Sequence, residues 1–479
     1  MIIVKDSYRL MGGGLVVLST ACGGPANRDT PSENRKPNIV LLLLDDAGYA
    51  DFGFMGSTDL KTPHIDRLAG KGVVFSDAHV TATVCGPSRA GIMTGRYQQR
   101  FGFECNPTGD SCVISRDETT LASALKGAGY ITAAFGKWHL GELPGYRPNE
   151  RGFDYYWGFL AGGRSYFPDE RMDVAGDPRA ITENSEPVAF EGYLTDRLGE
   201  KAAVFIERNK EKPFFIYWAP NAVHTPMEAT PEDLALFEGH PRQTLAAMTW
   251  ALDRAVGKIA DELEKNGLLE NTLIFFLSDN GGAHNNQSSN FPLKGFKGNK
   301  FEGGHRVPFF VTWPAKIKGG QTFSGLTSSL DIFATAIDAA GINPDKGLPP
   351  DGVSLVPYLK AEKKGSPHQQ LFWRKDAMAA VRSDRMKLIR VEKLPSVVYN
   401  LSVNLGETIN LAADSSALKD RLESALEQWE EGLAEPLWTE GATWDTITWM
   451  IHQDLMSDRR VRVKSPAELI KYTQNQKKQ

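Results

Sequence analysis

Ile39-Val40-Leu41-Leu42-Leu43-Leu44-Asp45-Asp46 is the stretch on which the fold turns. Six consecutive apolar residues lack the in-out alternation of a strand with one wet face. Such a run fits a strand buried on both sides, as in a parallel sheet covered by helices. The pattern recurs at residues 214–218, 273–277 and 307–312. Between these runs, apolar residues fall every three or four positions, at Leu245, Met248, Leu252, Val256, Ile259 and Leu263. Leu194, Leu198, Ala202 and Phe205 do the same, and residues 119–126 form a shorter stripe. That period is helical, and Asn266-Gly267 supplies a stop for the longest helix. Alternating strands and helices predict an α/β fold, a large mixed, mostly parallel sheet sandwiched by helices.

The chain has 479 residues, 41% hydrophobic and 24% charged, enough apolar material for a large core. A proline-bearing stretch at 348–359 marks a change of composition. After it, residues 370–373, 378–382, 387–391 and 397–401 read as short strands of a small antiparallel sheet. Asp414 or Ser415 is expected to cap a helix carrying Leu418, Leu422, Leu426 and Trp429. This predicts a main domain over 37–355 and a smaller C-terminal α+β domain with an antiparallel sheet and a tail over 356–479.

The first residues read differently. Lys5 and Arg9 precede an apolar stretch at 10–21, followed directly by Cys22. It is shorter than the roughly 20 residues a spanning helix needs. Residues 1–22 therefore read as a secretory signal. Small residues before Cys22 resemble a bacterial lipoprotein signal in which this cysteine is lipidated; a plain cleaved signal is the alternative. The polar residues 23–36 suit a tether. The expectation is an exported protein, in the periplasm or on the outer membrane of a bacterium, touching a membrane only through a lipid on Cys22. A net charge of −5 gives no basis for nucleic-acid binding, and Arg459, Arg460, Arg462 and Lys464 read as a solvated edge. Of four cysteines, Cys105 and Cys112 bracket a turn-rich loop; a local disulfide and two separate buried thiols both fit. No spacing of Cys or His suggests zinc.

Asp45 and Asp46 follow one apolar run, and Asp279 and Asn280 follow another. In open α/β sheets ligands bind beyond the carboxyl ends of the strands. Three carboxylates and an amide then meet at one place. They repel one another unless a hard cation neutralises them, and oxygen donors favour Ca²⁺ or Mg²⁺ over zinc. Either pair alone would read simply as turn residues. Between the pairs lies Cys85-Gly86-Pro87-Ser88-Arg89, with Thr94-Gly95-Arg96 beyond it. A helix following Cys85 would turn its N-terminal N–H groups, and Arg89, toward an anion. A lone cysteine is more often a small buried hydrophobe; the residues around this one argue otherwise. Lys137 and His139 lie in Gly136-Lys137-Trp138-His139-Leu140-Gly141 and share a face if that stretch is extended. His224, before Thr225-Pro226, and Lys297, before Gly298-Asn299-Lys300-Phe301-Glu302-Gly303-Gly304, add an imidazole and a cation. Tyr166, Phe167, Trp438 and Trp444 read as aromatics outside the core, suited to stacking on sugars. Residues 162–166 and 284–290 are expected to line a pocket.

Taken in order, these motifs resemble the type I, formylglycine-dependent sulfatases of the alkaline phosphatase-like superfamily. The resemblance runs from about Pro37 to the C-terminal helix. It includes Glu302-Gly303-Gly304 with Arg306, Asp351-Gly352-Val353-Ser354-Leu355 and Asn410-Leu411-Ala412. It implies that a formylglycine-generating enzyme oxidises Cys85 to an aldehyde whose hydrate attacks the sulfur of a sulfate ester. It further implies Asp45, Asp46, Asp279, Asn280 and the converted Cys85 as ligands of Ca²⁺, with Mg²⁺ the alternative. Lys137, His224 and Lys297 would hold sulfate, and His224 or Lys297 would protonate the leaving oxygen. Arg89 would steady the hydrate and His139 would act as base. Residues 98–103 resemble bacterial sulfatases acting on polysaccharides such as algal galactans or glycosaminoglycans, which makes a sulfated carbohydrate the expected substrate. The rival readings are a phosphoester or phosphonate monoester hydrolase of the same superfamily and an inactive glycan-binding surface lipoprotein.

Overall fold

The structure, a computed structural model, describes residues 35–106, 113–343 and 349–476. Its strands in the first half are β1 (Asn38–Leu44), β2 (Val73–Phe75), β3 (Ala78–His79), β4 (Ile131–Lys137), β5 (Tyr155–Phe159), β6 (Thr182–Glu183), β7 (Glu186–Pro187) and β8 (Phe214–Ala219). There follow β9 (Thr272–Ser278), β10 (Phe309–Thr312), β11 (Gln321–Phe323), β12 (Thr327–Ser328), β13 (Gln370–Lys375), β14 (Met378–Ser383), β15 (Met386–Val391) and β16 (Val397–Asn400). The helices are α1 (Pro63–Gly70), α2 (Cys85–Thr94), α3 (Leu121–Gly127), α4 (Leu194–Asn209), α5 (Pro231–Leu236) and α6 (Gln243–Lys265). The remaining six are α7 (Glu302–His305), α8 (Asp331–Ala339), α9 (Val356–Leu359), α10 (Ser416–Glu430), α11 (Ala442–Met456) and α12 (Pro466–Gln476).

A ten-stranded sheet in the order β11-β2-β10-β9-β1-β8-β4-β5-β6-β7 forms the body. Its centre, β9-β1-β8-β4-β5, is parallel throughout. The expected α/β sandwich is therefore present. One strand departs from expectation: the run at 307–312 forms only the four-residue β10, antiparallel to both β9 and β2. An apolar run reports burial on both faces, and burial carries no information about strand direction.

β1 shows why its sequence is apolar without a break. Val40, Leu42 and Leu44 join a core with Leu198 and Ala202 of α4 and Leu252 and Val256 of α6. Ile39, Leu41 and Leu43 point the other way, among Ile92 of α2, Leu125 of α3 and Ile337 of α8. Each such side chain contributes about 1.5–3 kcal/mol by leaving water. In register, Leu44 of β1 stands opposite Ser278 of β9, and Leu42 opposite Trp218 of β8. The strands thus end together, and the polar residues after them emerge side by side.

The C-terminal strands form the predicted antiparallel sheet, β13-β14-β15-β16. One face packs on Ile447 and Ile451 of α11, the other on Leu422 and Leu426 of α10. Ser415 occupies the capping position of α10, yet its side chain makes no capping hydrogen bond, and Asp414 lies outside the cap. Residues from Lys36 onward pack as one compact unit. The expected signal segment, Cys22 and the expected tether up to residue 34 lie outside the described residues, as does Cys112 and hence the Cys105–Cys112 pairing. Among the described residues no helix is long and apolar enough to cross a membrane.

A buried charge network joins this sheet to the body. Arg382 of β14 donates to both carboxylate oxygens of Asp77, at 3.0 and 2.7 Å, and to Glu302 at 3.0 Å. Lys387 of β15 reaches Glu302 and Glu407, each at 2.9 Å. The ligand atoms of His79, Glu302 and His305 lie within 4.8 Å of one another. Arg382, Arg306 and Lys387 surround that group, and their positive charge opposes a metal ion there. Nearby, Trp373 donates from its indole to the Val80 carbonyl at 2.7 Å. The linker into the sheet is held by His368, whose Nε2 is 2.7 Å from Asp331. Burial lowers the pKa of this imidazole, but Asp331 outweighs it and raises the value above the ordinary 6.5.

Two outcomes are expected. Arg382→Met strands Asp77 and Glu302 as buried, partly uncompensated charges and costs about 3–5 kcal/mol in a urea titration; an unshifted midpoint contradicts the network. The His368–Asp331 pair stabilises fully below the unfolded imidazole's pKa of about 6.5 and fades as pH rises through the higher folded value. The stability gap between wild type and His368→Gln should therefore be widest near pH 5.5 and shrink toward pH 9; a gap that widens with pH refutes the pairing.

Candidate functional site

The carboxyl ends of β1, β4, β8 and β9 meet the first turn of α2, and the predicted residues gather there. Cys85 is the first residue of α2 and is 2% exposed. Its Sγ lies 3.3 Å from Lys297 Nζ and 3.5 Å from Asp45 Oδ1. Lys137, the last residue of β4, puts Nζ 2.7 Å from Asp45 Oδ2. Lys297 bonds Asp46 at 2.8–2.9 Å, and Asn280 Nδ2 donates to Asp46 Oδ1 at 2.7 Å. Arg89 grips Asp279 through Nε at 2.8 Å and a terminal nitrogen at 2.7 Å, and also donates to the Lys137 carbonyl and the Tyr217 hydroxyl. Three acids, Asp45, Asp46 and Asp279, thus face three cations, Arg89, Lys137 and Lys297. His224 Nδ1 is 2.6 Å from the Thr225 carbonyl, which assigns the proton to Nδ1 and leaves Nε2 facing Asp46, 3.6 Å away.

The local chain explains these placements. Gly95 ends α2 in the left-handed conformation (φ 68°), and a Cβ there would lie 2.7 Å from the Phe333 side chain. This is a structural reason for the Thr94-Gly95 that follows the cysteine motif. Lys137 and His139 do not share the face of an extended strand. β4 stops at Lys137, and His139 takes a left-handed backbone (φ 57°). The turn still places the half-buried His139 near Lys137, Arg89 and Asp45, with Gly162 so close that a Cβ would meet Nε2 at 2.7 Å.

Electrostatics follow from burial. Burial raises Asp45, yet Lys137, His224, Arg89 and Lys297 hold it well below the usual carboxylate range. Asp279 is pushed up to about 6, first by burial and then by the neighbouring Asp45. Burial also pushes the Cys85 thiol up to about 12, against Lys137 and Lys297. A thiol so protonated at neutral pH is a poor nucleophile as it stands. Burial, reinforced by Lys137 and Arg89, holds His139 well below its ordinary value, so its ring is neutral. Burial alone would lower Lys297; Asp46, Cys85 and Asp45 instead keep it well above the ordinary ammonium value.

The carboxylate and amide oxygens at the site suit a hard cation. Ligand atoms of Asp45, Asp46, Cys85 and His224 lie within 4.8 Å of one another. Asn280 Oδ1 is a buried oxygen without a hydrogen-bond partner, an arrangement that a metal ion would satisfy. Asp279, expected beside them, here spends one oxygen on Arg89 and accepts at the other from the Asp46 N–H at 3.3 Å.

A cavity of about 380 Å³ opens onto His224 and Lys297. Ala283, His284 and Asn285 line one side, as expected of part of the 284–290 run, and Lys375, Glu440, Trp444, Thr448, Ile451 and Lys464 line another. A larger groove of about 600 Å³ lies at Ile131, the opposite end of β4 from Lys137, and is remote from this chemistry. Of the four aromatics expected near substrate, only Trp444 borders the cavity. Tyr166 is buried, donating to the Asn221 and His224 carbonyls at 2.5 and 2.8 Å. Phe167 and Trp438 pack against the core. The basic cluster is not uniformly solvated: Arg459 and Arg462 pair with the buried Asp454, and Lys464 lines the cavity.

Sequence reading missed two groups. Tyr217, inside an apolar strand, aims its hydroxyl at Arg89. Asn286 donates to the Asp46 and Val223 carbonyls at 3.0 and 2.9 Å, tying together the loops after β1, β8 and β9. Its only signal was membership of the polar run at 284–290.

Residues 37–342 match the family model described as Sulfatase. The uncharacterized sulfatase YdeN of Escherichia coli (strain K12) is 34% identical over 403 residues, 72% of this chain and 70% of that protein. The N-acetylgalactosamine-6-sulfatase of Canis lupus familiaris is 35% identical over 370 residues, 72% of this chain and 69% of that one. The crystal structure of Ps i-CgsB in complex with k-i-k-neocarrahexaose superposes with a TM-score of 0.80 at 36% identity, covering 88% of this chain and 99% of that one.

Proposed function

The chain belongs to the sulfatase family, whose members are sulfuric ester hydrolases, and on that premise we propose that it removes sulfate from a sulfated carbohydrate, a polysaccharide or its oligosaccharides. The observation that carries the reading is the convergence of Lys297 and Asp45 on the Cys85 sulfur at the start of α2. The names of the relatives support the carbohydrate: one is an N-acetylgalactosamine-6-sulfatase, and the solved structure contains a neocarrahexaose.

In this reading Cys85 is the precursor of formylglycine, made by a formylglycine-generating enzyme. Asp45, Asp46, Asp279, Asn280 and the converted residue 85 hold a Ca²⁺ ion, or Mg²⁺. The aldehyde hydrate supplies an attacking oxygen and a second hydroxyl for expelling sulfate, and the cation supplies Lewis acidity. The remaining work belongs to side chains already in place. Lys137 and Lys297 reach the same pocket as the sulfur from two carboxylates, and with His224 they bind the sulfate oxygens as charge spreads over them. A divalent cation would add two positive charges to a site whose acids and cations already balance, and the singly charged sulfate ester would offset one of them. Lys297, or His224 once its Nε2 is also protonated, donates a proton to the departing alcohol oxygen. His139, half-buried and neutral, takes a proton when sulfate is released. Arg89, in the second turn of α2 and fixed by Asp279 and Tyr217, steadies the nucleophile at the start of that helix. We also infer export to the periplasm or outer membrane, on the strength of the segment at 10–21 and Cys22; that segment lies outside the described residues.

Protein from its native host should show, in the tryptic peptide containing Cys85, the mass loss that accompanies conversion of CH₂SH to CHO. Cys85→Ser should lose steady turnover of sulfate esters by about three orders of magnitude or more; sustained multiple turnover by that variant refutes the formylglycine route. Chelator treatment should lower both turnover and melting temperature, and added Ca²⁺ should restore both, the melting temperature rising with the logarithm of cation concentration. A melting temperature indifferent to chelator and Ca²⁺ argues against the cation site.

A further inference from the structure

The C-terminal segment contributes Lys375, Glu440, Trp444, Thr448, Ile451 and Lys464 to the cavity wall, and the chemistry of that wall is specific. Cys85, Asp45 and Asp46 are buried, so a substrate reaching residue 85 with its sulfate must leave the rest of its body in the cavity beside His224 and Lys297. Charges on the lining are unequally satisfied. Lys297 is neutralised by Asp46, and Lys375 by Glu440. Lys464 forms no ion pair among the described residues; its ammonium stands 6.0 Å from the centre of the Phe296 ring, and its own backbone N–H, not its side chain, meets Glu468. The ring of His284 lies against the same Phe296, at 5.1 Å. The Lys464 ammonium is thus a lining cation without an ion-pair partner among the described residues, although the Glu468 carboxylate sits at its backbone N–H. Trp444, on the first turn of α11, is 41% exposed although it borders the cavity and could have packed inward as its neighbours Ile447 and Ile451 do. An exposed indole and an ammonium without an ion pair lining one cavity fit an anionic sugar, the ring on the aromatic face and the charged substituent on the cation.

We propose that this wall is a subsite for the sugar on the leaving-group side, in which Lys464 receives a second anionic substituent, a sulfate or a carboxylate, while Trp444 packs against the ring. The inference rests on the sulfatase reading for the position of the scissile sulfate. It makes the preferred substrate a saccharide carrying at least two negative charges.

The test is a calorimetric titration of the full-length protein in its unconverted, thiol form, so that binding is read without turnover. The probes are galactan and hexosamine disaccharides, each with one sulfate and with one sulfate on each ring. Wild type should bind the doubly sulfated member of at least one pair about tenfold more tightly than the singly sulfated one, as one charge-assisted hydrogen bond implies. Lys464→Gln should reduce that ratio to about one, Lys464→Arg should keep most of it, and Trp444→Ala should weaken both members of the pair alike. Equal or absent binding of both members by wild type, or an undiminished ratio in Lys464→Gln, overturns the subsite. Turnover of a small aryl sulfate by the matured protein reports separately on the sulfatase reading: its absence would count against that reading and leave the binding ratio intact.

Discussion

Charge balance in a place without water is the constraint on which the rest of this structure depends. Asp45, Asp46 and Asp279 are each no more than 1% exposed, and alone they would repel one another at a cost no core could offset. Arg89, Lys137 and Lys297 answer them one for one. Such an arrangement demands backbone precision, because a buried ion pair that is slightly misplaced loses its attraction and keeps its desolvation cost. The precision comes from the register of four strands. Leu44 opposite Ser278 sets Asp45 beside Asp279, and the end of β4 sets Lys137 against Asp45. The hydrophobic layers on either face of β1 lock that register, since a slip of one residue would send Val40, Leu42 and Leu44 into the wrong core.

The loops carrying the other polar groups are tied down by the backbone. Asn286 spans the loops after β1, β8 and β9, and the Tyr166 hydroxyl holds the Asn221 and His224 carbonyls. These bonds leave His224 and Asp46 little freedom. A site assembled from loops then acquires the rigidity of the sheet beneath it, which suits chemistry that depends on preset charges rather than on reorganisation. The C-terminal sheet joins through a second buried network, Arg382 and Lys387 against Asp77, Glu302 and Glu407. Glu302 opens α7 five positions after Lys297, so docking of that sheet and placement of a site cation are coupled through the four residues between them. The same docking brings α11 to the cavity.

How much of this could be read beforehand varied with the kind of signal. The central strands were legible because burial on both faces leaves an apolar run that few other environments require. β6, β7 and β12, two residues each, have no room for a pattern, and their pairing is set by their neighbours. Direction was illegible for β10, since burial is blind to it. The site residues were legible where function left a motif, as at Cys85 and at the two acidic pairs. Tyr217 and Asn286 were not, because one looks like core and the other like any polar loop residue. The aromatics show the converse: Tyr166 looked like a surface ring, and its place in the core follows from a hydroxyl that has carbonyls to satisfy.

The sequence by itself determined the fold class, the buried central strands β1, β8 and β9 with helices α4 and α6, and the chemical types gathered at the site. Each of these rests on periodicity or residue type, which are local and written along the chain. Tertiary structure decided which acid meets which cation, that Arg89 is spent on Asp279 rather than turned to Cys85 alone, and that Trp444 and Lys464 face the cavity while Tyr166 does not. Those outcomes depend on distances of about 3 Å between residues up to hundreds of positions apart, fixed by strand register and by the docking of the second sheet.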